Sequence, residues 1–93
     1  MNATSRKATE AMRADTDSAP LCALVERSVS GYYDRLNGEK PSELYELVLT
    51  QVERPLLEVT MRVTRGNICR AADYLGLNRA TLRKKLQKYG LAG

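Results

Sequence analysis

The chain has 93 residues and a formal charge of +4, from 15 Lys and Arg against 11 Asp and Glu, with no His, Trp or Phe. That length is one small domain, and the lack of His excludes His-ligated metals and a His general base. The two cysteines, Cys22 and Cys69, are too few for a zinc site or a disulfide scaffold, and no apolar run nears the roughly 20 residues of a membrane span.

Taken in chain order, residues 1–20 hold Arg6, Lys7 and Arg13 against Glu10, Asp15 and Asp17, a net charge of zero. They contain no Leu, Ile or Val, although the rest of the chain has twenty. Without aliphatic side chains to offset the entropy of ordering, residues 1–19 are predicted to be a mobile tail. Their start, MNATSRKATEAMRAD, lacks the apolar core of a secretory signal, which predicts a cytoplasmic protein with reduced thiols.

The first helix is predicted from Leu21, Leu24, Val25, Val29, Tyr32 and Leu36, which recur at three- and four-residue steps. Asn37-Gly38-Glu39-Lys40-Pro41 ends it, with Gly38 as the cap. Ser42 is read as the N-cap of a second helix, with Glu43 in its first turn and its end at about Arg65. Leu44, Leu47, Val48, Val52, Leu56, Val59 and Val63 make one apolar face, and Tyr45, Leu49, Leu57 and Met61 widen it. A helix apolar on more than one side needs cover from more than one side. A fold of about 70 residues has too few other elements to supply it, so the first two helices, residues 20–65, are expected to form a homodimer. Pro55 is expected to kink this helix rather than split it, because the apolar pattern keeps phase across it.

Residues 66–93 hold Arg70, Arg79, Arg83, Lys84, Lys85 and Lys88 against Asp73 alone, so this third carries +5. Such a one-sided excess is the footprint of a polyanion-binding surface. Asn67 is placed to cap a short helix from Ile68 to Leu75, Gly76 to make a tight turn, and Asn78 to cap a final helix closed by Gly90. Small Ala71 and Ala72 allow the two helices to approach closely, and the whole reads as a helix-turn-helix.

On the final helix Leu82, Leu86 and Tyr89 share the core face, and Ala80, Lys84 and Gln87 lie opposite, flanked by Thr81, Arg83 and Lys88. Small, basic and hydrogen-bonding side chains on one outward face suit a DNA major groove. Asn78, Arg79, Arg83 and Lys84 are expected at base edges. Asn67, Arg70, Thr81 and Lys88 are expected at phosphates, helped by the positive helix N-termini. Lys85 adds to the same basic surface. Against this stands the plainer reading, a helical module whose basic end merely complements its macrodipole.

The segments Ser42-Glu43-Leu44-Tyr45-Glu46-Leu47-Val48-Leu49, Glu53-Arg54-Pro55-Leu56-Leu57, Thr64-Arg65-Gly66-Asn67 and Asn78 to Leu86 together resemble the Fis family of bacterial nucleoid proteins, over about residues 20–90. The last segment also resembles the DNA-binding domains of NtrC-type activators; the upstream segments, with no ATPase before them, favour Fis. The resemblance implies an all-α, four-helix homodimer whose two helix-turn-helix units enter adjacent major grooves of a bent duplex. It also implies degenerate target sites selected through groove width and deformability, with no enzymatic activity and no cofactor. By position it assigns DNA contacts to Asn67, Arg70, Asn78, Arg79, Thr81, Arg83 and Lys84. Cys69 replaces the Thr of well-known members and Gln87 a Lys. Residues 4–19 lack the alternating pattern of the family's β-hairpin, so a recombinase contact is not carried over with the rest. The expected function is a sequence-tolerant, DNA-bending transcriptional regulator in the cytoplasmic nucleoid. The alternative is a protein-interaction module, with RNA polymerase met through the turn Arg65-Gly66-Asn67.

Overall fold

A computed structural model of the chain describes residues 20–91; the tail expected over 1–19, and the hairpin comparison made on it, lie outside them. Among the described residues there are four helices and no strand: α1 (Leu21–Leu36), α2 (Leu44–Val63), α3 (Ile68–Leu75) and α4 (Arg79–Lys88). Two compact units divide the chain, one ending at Ser42 and the other starting at Glu43.

The first unit's helix has the length its periodicity predicts. It ends in the predicted turn: Asn37 is the capping residue, left-handed at φ 55°, and Gly38 follows it at φ 85°. Asn adopts this region more easily than most residues because its short amide hydrogen-bonds locally. No residue of α1 is fully buried; Leu24, Val25, Val29, Tyr32 and Leu36 are only half-buried.

In the second unit α2 is one unbroken helix across Pro55, as the phase of its apolar residues predicts. Its start is not where the sequence puts it. Glu43 has φ 50° and ψ 40°, no side chain caps the helix, and Glu46 is the acid of the first turn. A left-handed Glu43 separates Ser42 from the helix, so the Ser42 hydroxyl is out of place as a cap. The end comes at Val63, two residues short of Arg65, which itself has left-handed φ 54°.

The core of this unit is Leu57 from α2, Ala71 and Ala72 from α3, and Leu82 and Leu86 from α4, all essentially solvent-free. Met61, Ile68, Leu75, Leu77, Tyr89 and Leu91 pack around it. The two alanines provide the close approach expected of small residues. Thr64 is buried as well, and its hydroxyl donates to the Thr60 carbonyl at 2.8 Å, so no orphaned polar group results.

Three helices close with one hydrogen-bond pattern. The Gly66 N–H donates to the Met61 carbonyl at 2.9 Å, Leu77 to Ala72 at 2.9 Å, and Leu91 to Leu86 at 2.8 Å. Each is the bond of a Schellman motif, which requires a left-handed residue just before the donor. Gly76 and Gly90 fill that place for α3 and α4. At the end of α2 it is filled by Arg65, whose Cβ makes the same conformation unfavourable by about 1–2 kcal/mol.

Candidate nucleic-acid interface

The turn between α3 and α4 is built from local signals. The Asn67 side chain accepts from the Arg70 N–H at 3.0 Å, and the Asn78 side chain accepts from the Ala80 N–H at 2.8 Å. Both caps are the ones the sequence predicts, and both use the amide oxygen, leaving each –NH2 group as a donor at a helix N-terminus. Gly76 reverses the chain with φ 73°, and Leu77 turns inward onto the core.

Around this turn Asn67, Arg70, Asn78, Arg79, Ala80, Thr81, Arg83, Lys84 and Gln87 are all exposed. Leu82 and Leu86 anchor the opposite side of α4. One continuous surface therefore carries the guanidinium groups of Arg70, Arg79 and Arg83, the ammonium of Lys84, two capping amides and a hydroxyl. Among the described residues none of these four cations has a carboxylate partner. Their charges are open to an external anion.

Lys85 and Lys88 are placed differently. Lys85 Nζ donates to Glu53 Oε2 at 2.8 Å, and Lys88 Nζ pairs with Glu46 Oε1. Tyr89 Oη donates to the other oxygen of Glu53 at 2.6 Å. These bonds tie the C-terminal half of α4 to α2, on the flank away from Arg79 and Arg83. The hydrogen bonds from Lys85 and then Tyr89 hold the Glu53 carboxyl below its ordinary value, against an opposing effect of burial. The Tyr89 hydroxyl is pushed up, chiefly by the same bond to Glu53, and Lys88 is pushed up by its bond to Glu46. Sequence reading places Lys85 and Lys88 with the other cations because it sees α4 alone. The two acids lie 32 and 42 residues upstream of their partners, on a helix whose helical spacing puts both on one side.

Cys22 and Cys69 are free and exposed, and Cys69 Sγ accepts from Arg79 Nη1 at 3.4 Å. Among the described residues no cluster could hold a metal ion, and no helix is long and apolar enough to cross a membrane.

Comparison with known families gives a consistent result. Residues 48–89 match the family described as "Bacterial regulatory protein, Fis family", a stretch that takes in most of α2 and all of the helix-turn-helix. The DNA-binding protein Fis of Psychromonas ingrahamii is 61% identical over 72 residues, 77% of this chain and 73% of that protein. The DNA-binding protein Fis of Mannheimia haemolytica is 56% identical, with 77% and 74% covered. That of Pectobacterium carotovorum is 51% identical over 79 residues, 85% of this chain and 81% of the relative.

Proposed function

The chain belongs to the Fis family of bacterial regulatory proteins, and from that premise we propose that it is a DNA-binding transcriptional regulator, not an enzyme, that acts as a homodimer and bends its duplex. The observation that carries the reading is the exposed face of α3 and α4, where Arg70, Arg79, Arg83 and Lys84 stand, among the described residues, without carboxylate partners beside two capped helix N-termini. Such a face neutralises phosphates, and α4 has the breadth and side-chain types to enter a major groove. Asn78, Arg79, Arg83 and Lys84 read base edges; Asn67, Arg70 and Thr81 hold the backbone. Lys85 and Lys88 contribute charge at one remove, through their pairs with Glu53 and Glu46.

Dimerisation rests on uncovered apolar surface. Tyr45 is 78% exposed and Val63 64%, with Leu56 and Val59 about half exposed. With the half-buried Val52 they recur at steps of three, four or seven along one side of α2, away from Leu57. This side of α2 is a surface a second copy covers, and α1, which buries nothing fully, offers a second copy an apolar stripe of its own. Two recognition helices then present to one duplex, and bending brings both grooves into reach. In this reading residues 20–65 supply the dimer and 66–93 the DNA face, and the protein works in the cytoplasm on the nucleoid.

A gel-shift bending assay on AT-rich duplex, with a native mass measurement of the free full chain, tests the proposal. A dimer that retards the duplex with position-dependent mobility supports it; a monomer or undistorted DNA overturns it. A contact with RNA polymerase through Arg65-Gly66-Asn67 is a second reading. It is favoured by the strained, exposed Arg65 in that turn, since such strain concentrates at functional positions. Unchanged polymerase recruitment by Arg65→Ala would dismiss it.

A further inference from the structure

The Arg79 side chain is the longest reach of α4 at its N-terminal end, and a free Arg there samples many rotamers. In this chain it is tied: Nη1 donates to Cys69 Sγ at 3.4 Å, across the turn from the first turn of α3. The cysteine is exposed and has no place in the core formed by Ala71, Ala72, Leu82 and Leu86, so packing does not account for it. The main-chain geometry of the turn is fixed independently, by the Asn67 and Asn78 caps and by Gly76. What the sulfur does is hold one guanidinium. We propose that Cys69 is a positioning residue for Arg79, keeping its guanidinium extended along the turn so that the fork meets a guanine edge already oriented. Cys69 is thereby a determinant of base selectivity rather than of affinity for the DNA backbone. The inference rests on the reading of Arg79 as a base-contacting residue.

The physical chemistry sets the sign and size. A bidentate Arg contact with guanine N7 and O6 discriminates bases only when the planar fork arrives in register. A thiol is a weak acceptor, so it restrains the side chain in the free protein and yields it readily to the stronger acceptors of a base. Removing the sulfur returns ordering entropy to the binding step, and that entropy falls on the one contact that needs orientation. Nonspecific binding, in which Arg79 faces a phosphate from many angles, is insensitive to it.

The test uses the full chain and a duplex selected from a random pool by the wild-type protein. Each guanine is replaced in turn by 7-deazaguanine, which lacks the N7 acceptor. The wild type should lose about tenfold in affinity at the guanine Arg79 reads, the lower range for part of a bidentate contact. Arg79→Ala should lose nothing further there. Cys69→Ala should show a penalty of roughly threefold, consistent with the ordering of one long side chain, while Cys69→Ser, which keeps an acceptor, should stay near the wild-type value. Affinity for unrelated duplex and thermal stability should be the same for all cysteine variants. A full penalty in Cys69→Ala overturns the inference and leaves the reading of Arg79 intact. A penalty that survives Arg79→Ala at every guanine, or is absent from the wild type, overturns that reading and the inference with it.

Discussion

Replacing Glu53 by Gln removes a charge that serves two partners on α4. Glu53 is 17% exposed at its side chain and Lys85 33%, so the pair is neither fully solvated nor fully buried. A surface ion pair contributes about 0.2–1 kcal/mol, and a hydrogen bond to a charged group about 1.5–3 kcal/mol. The partial exposure of Lys85 lets water replace much of the lost bond. About 1.5 kcal/mol is therefore expected for Glu53→Gln at pH 7, with a coupling of about 1 kcal/mol to Lys85→Met in a double-mutant cycle. For a domain of this size that cost lowers Tm by roughly 6–12 °C. Urea and thermal unfolding at one fixed protein concentration measure it, because a dimer's stability depends on concentration. The pH dependence supplies an internal check. The Glu53 carboxyl is held below its ordinary value of 4.5, so its contribution is complete above that value and disappears as pH falls through the lower, folded one. Wild type and Glu53→Gln should therefore differ at pH 7 and converge in acid, once pH has fallen below the lowered, folded value. A coupling below about 0.3 kcal/mol, or a difference that persists in acid, would refute a stabilising role for the Glu53 bonds to Lys85 and Tyr89.

Leu82→Ala empties the centre of the three-helix core and should cost about 2–5 kcal/mol in urea unfolding; a loss under about 1 kcal/mol would mean that the site collapses freely. Arg65→Gly places the residue a Schellman motif prefers at the end of α2 and should stabilise by about 1 kcal/mol; destabilisation would show that the Arg65 side chain makes a contact worth more than its strain. Val59→Arg puts a charge on the uncovered side of α2 and should convert a dimer to a monomer in native mass measurements, whereas an unchanged mass would move the interface elsewhere.

The parts legible in the sequence are those set by neighbours along the chain. The spans of α1, α3 and α4, the two Asn caps, the Gly76 turn and the inward face of α4 follow from spacing and from residue types with one physical use. The start of α2 is not legible, because Ser42 carries a capping signal that a left-handed Glu43 cancels, and no local pattern announces that backbone state. Glu46 and Glu53 were invisible as partners for a different reason. Their effect depends on the packing of α2 against α4, which brings charges from distant segments together, so Lys85 and Lys88 looked as available as Arg83 and Lys84. The bond from Arg79 to Cys69 belongs to the same class. A cysteine spacing carries no sign of the guanidinium that the turn folds against it.

An open basic face at α3 and α4 that meets DNA phosphates is the central proposal. Its most direct measurement is the affinity of the full chain for an AT-rich duplex over a series of salt concentrations, wild type beside Arg70→Ala. The wild type should give a steep negative log–log slope, and Arg70→Ala a slope shallower by about 0.9 per protomer, one phosphate contact each. A slope near zero, or one that Arg70→Ala leaves unchanged, would contradict it.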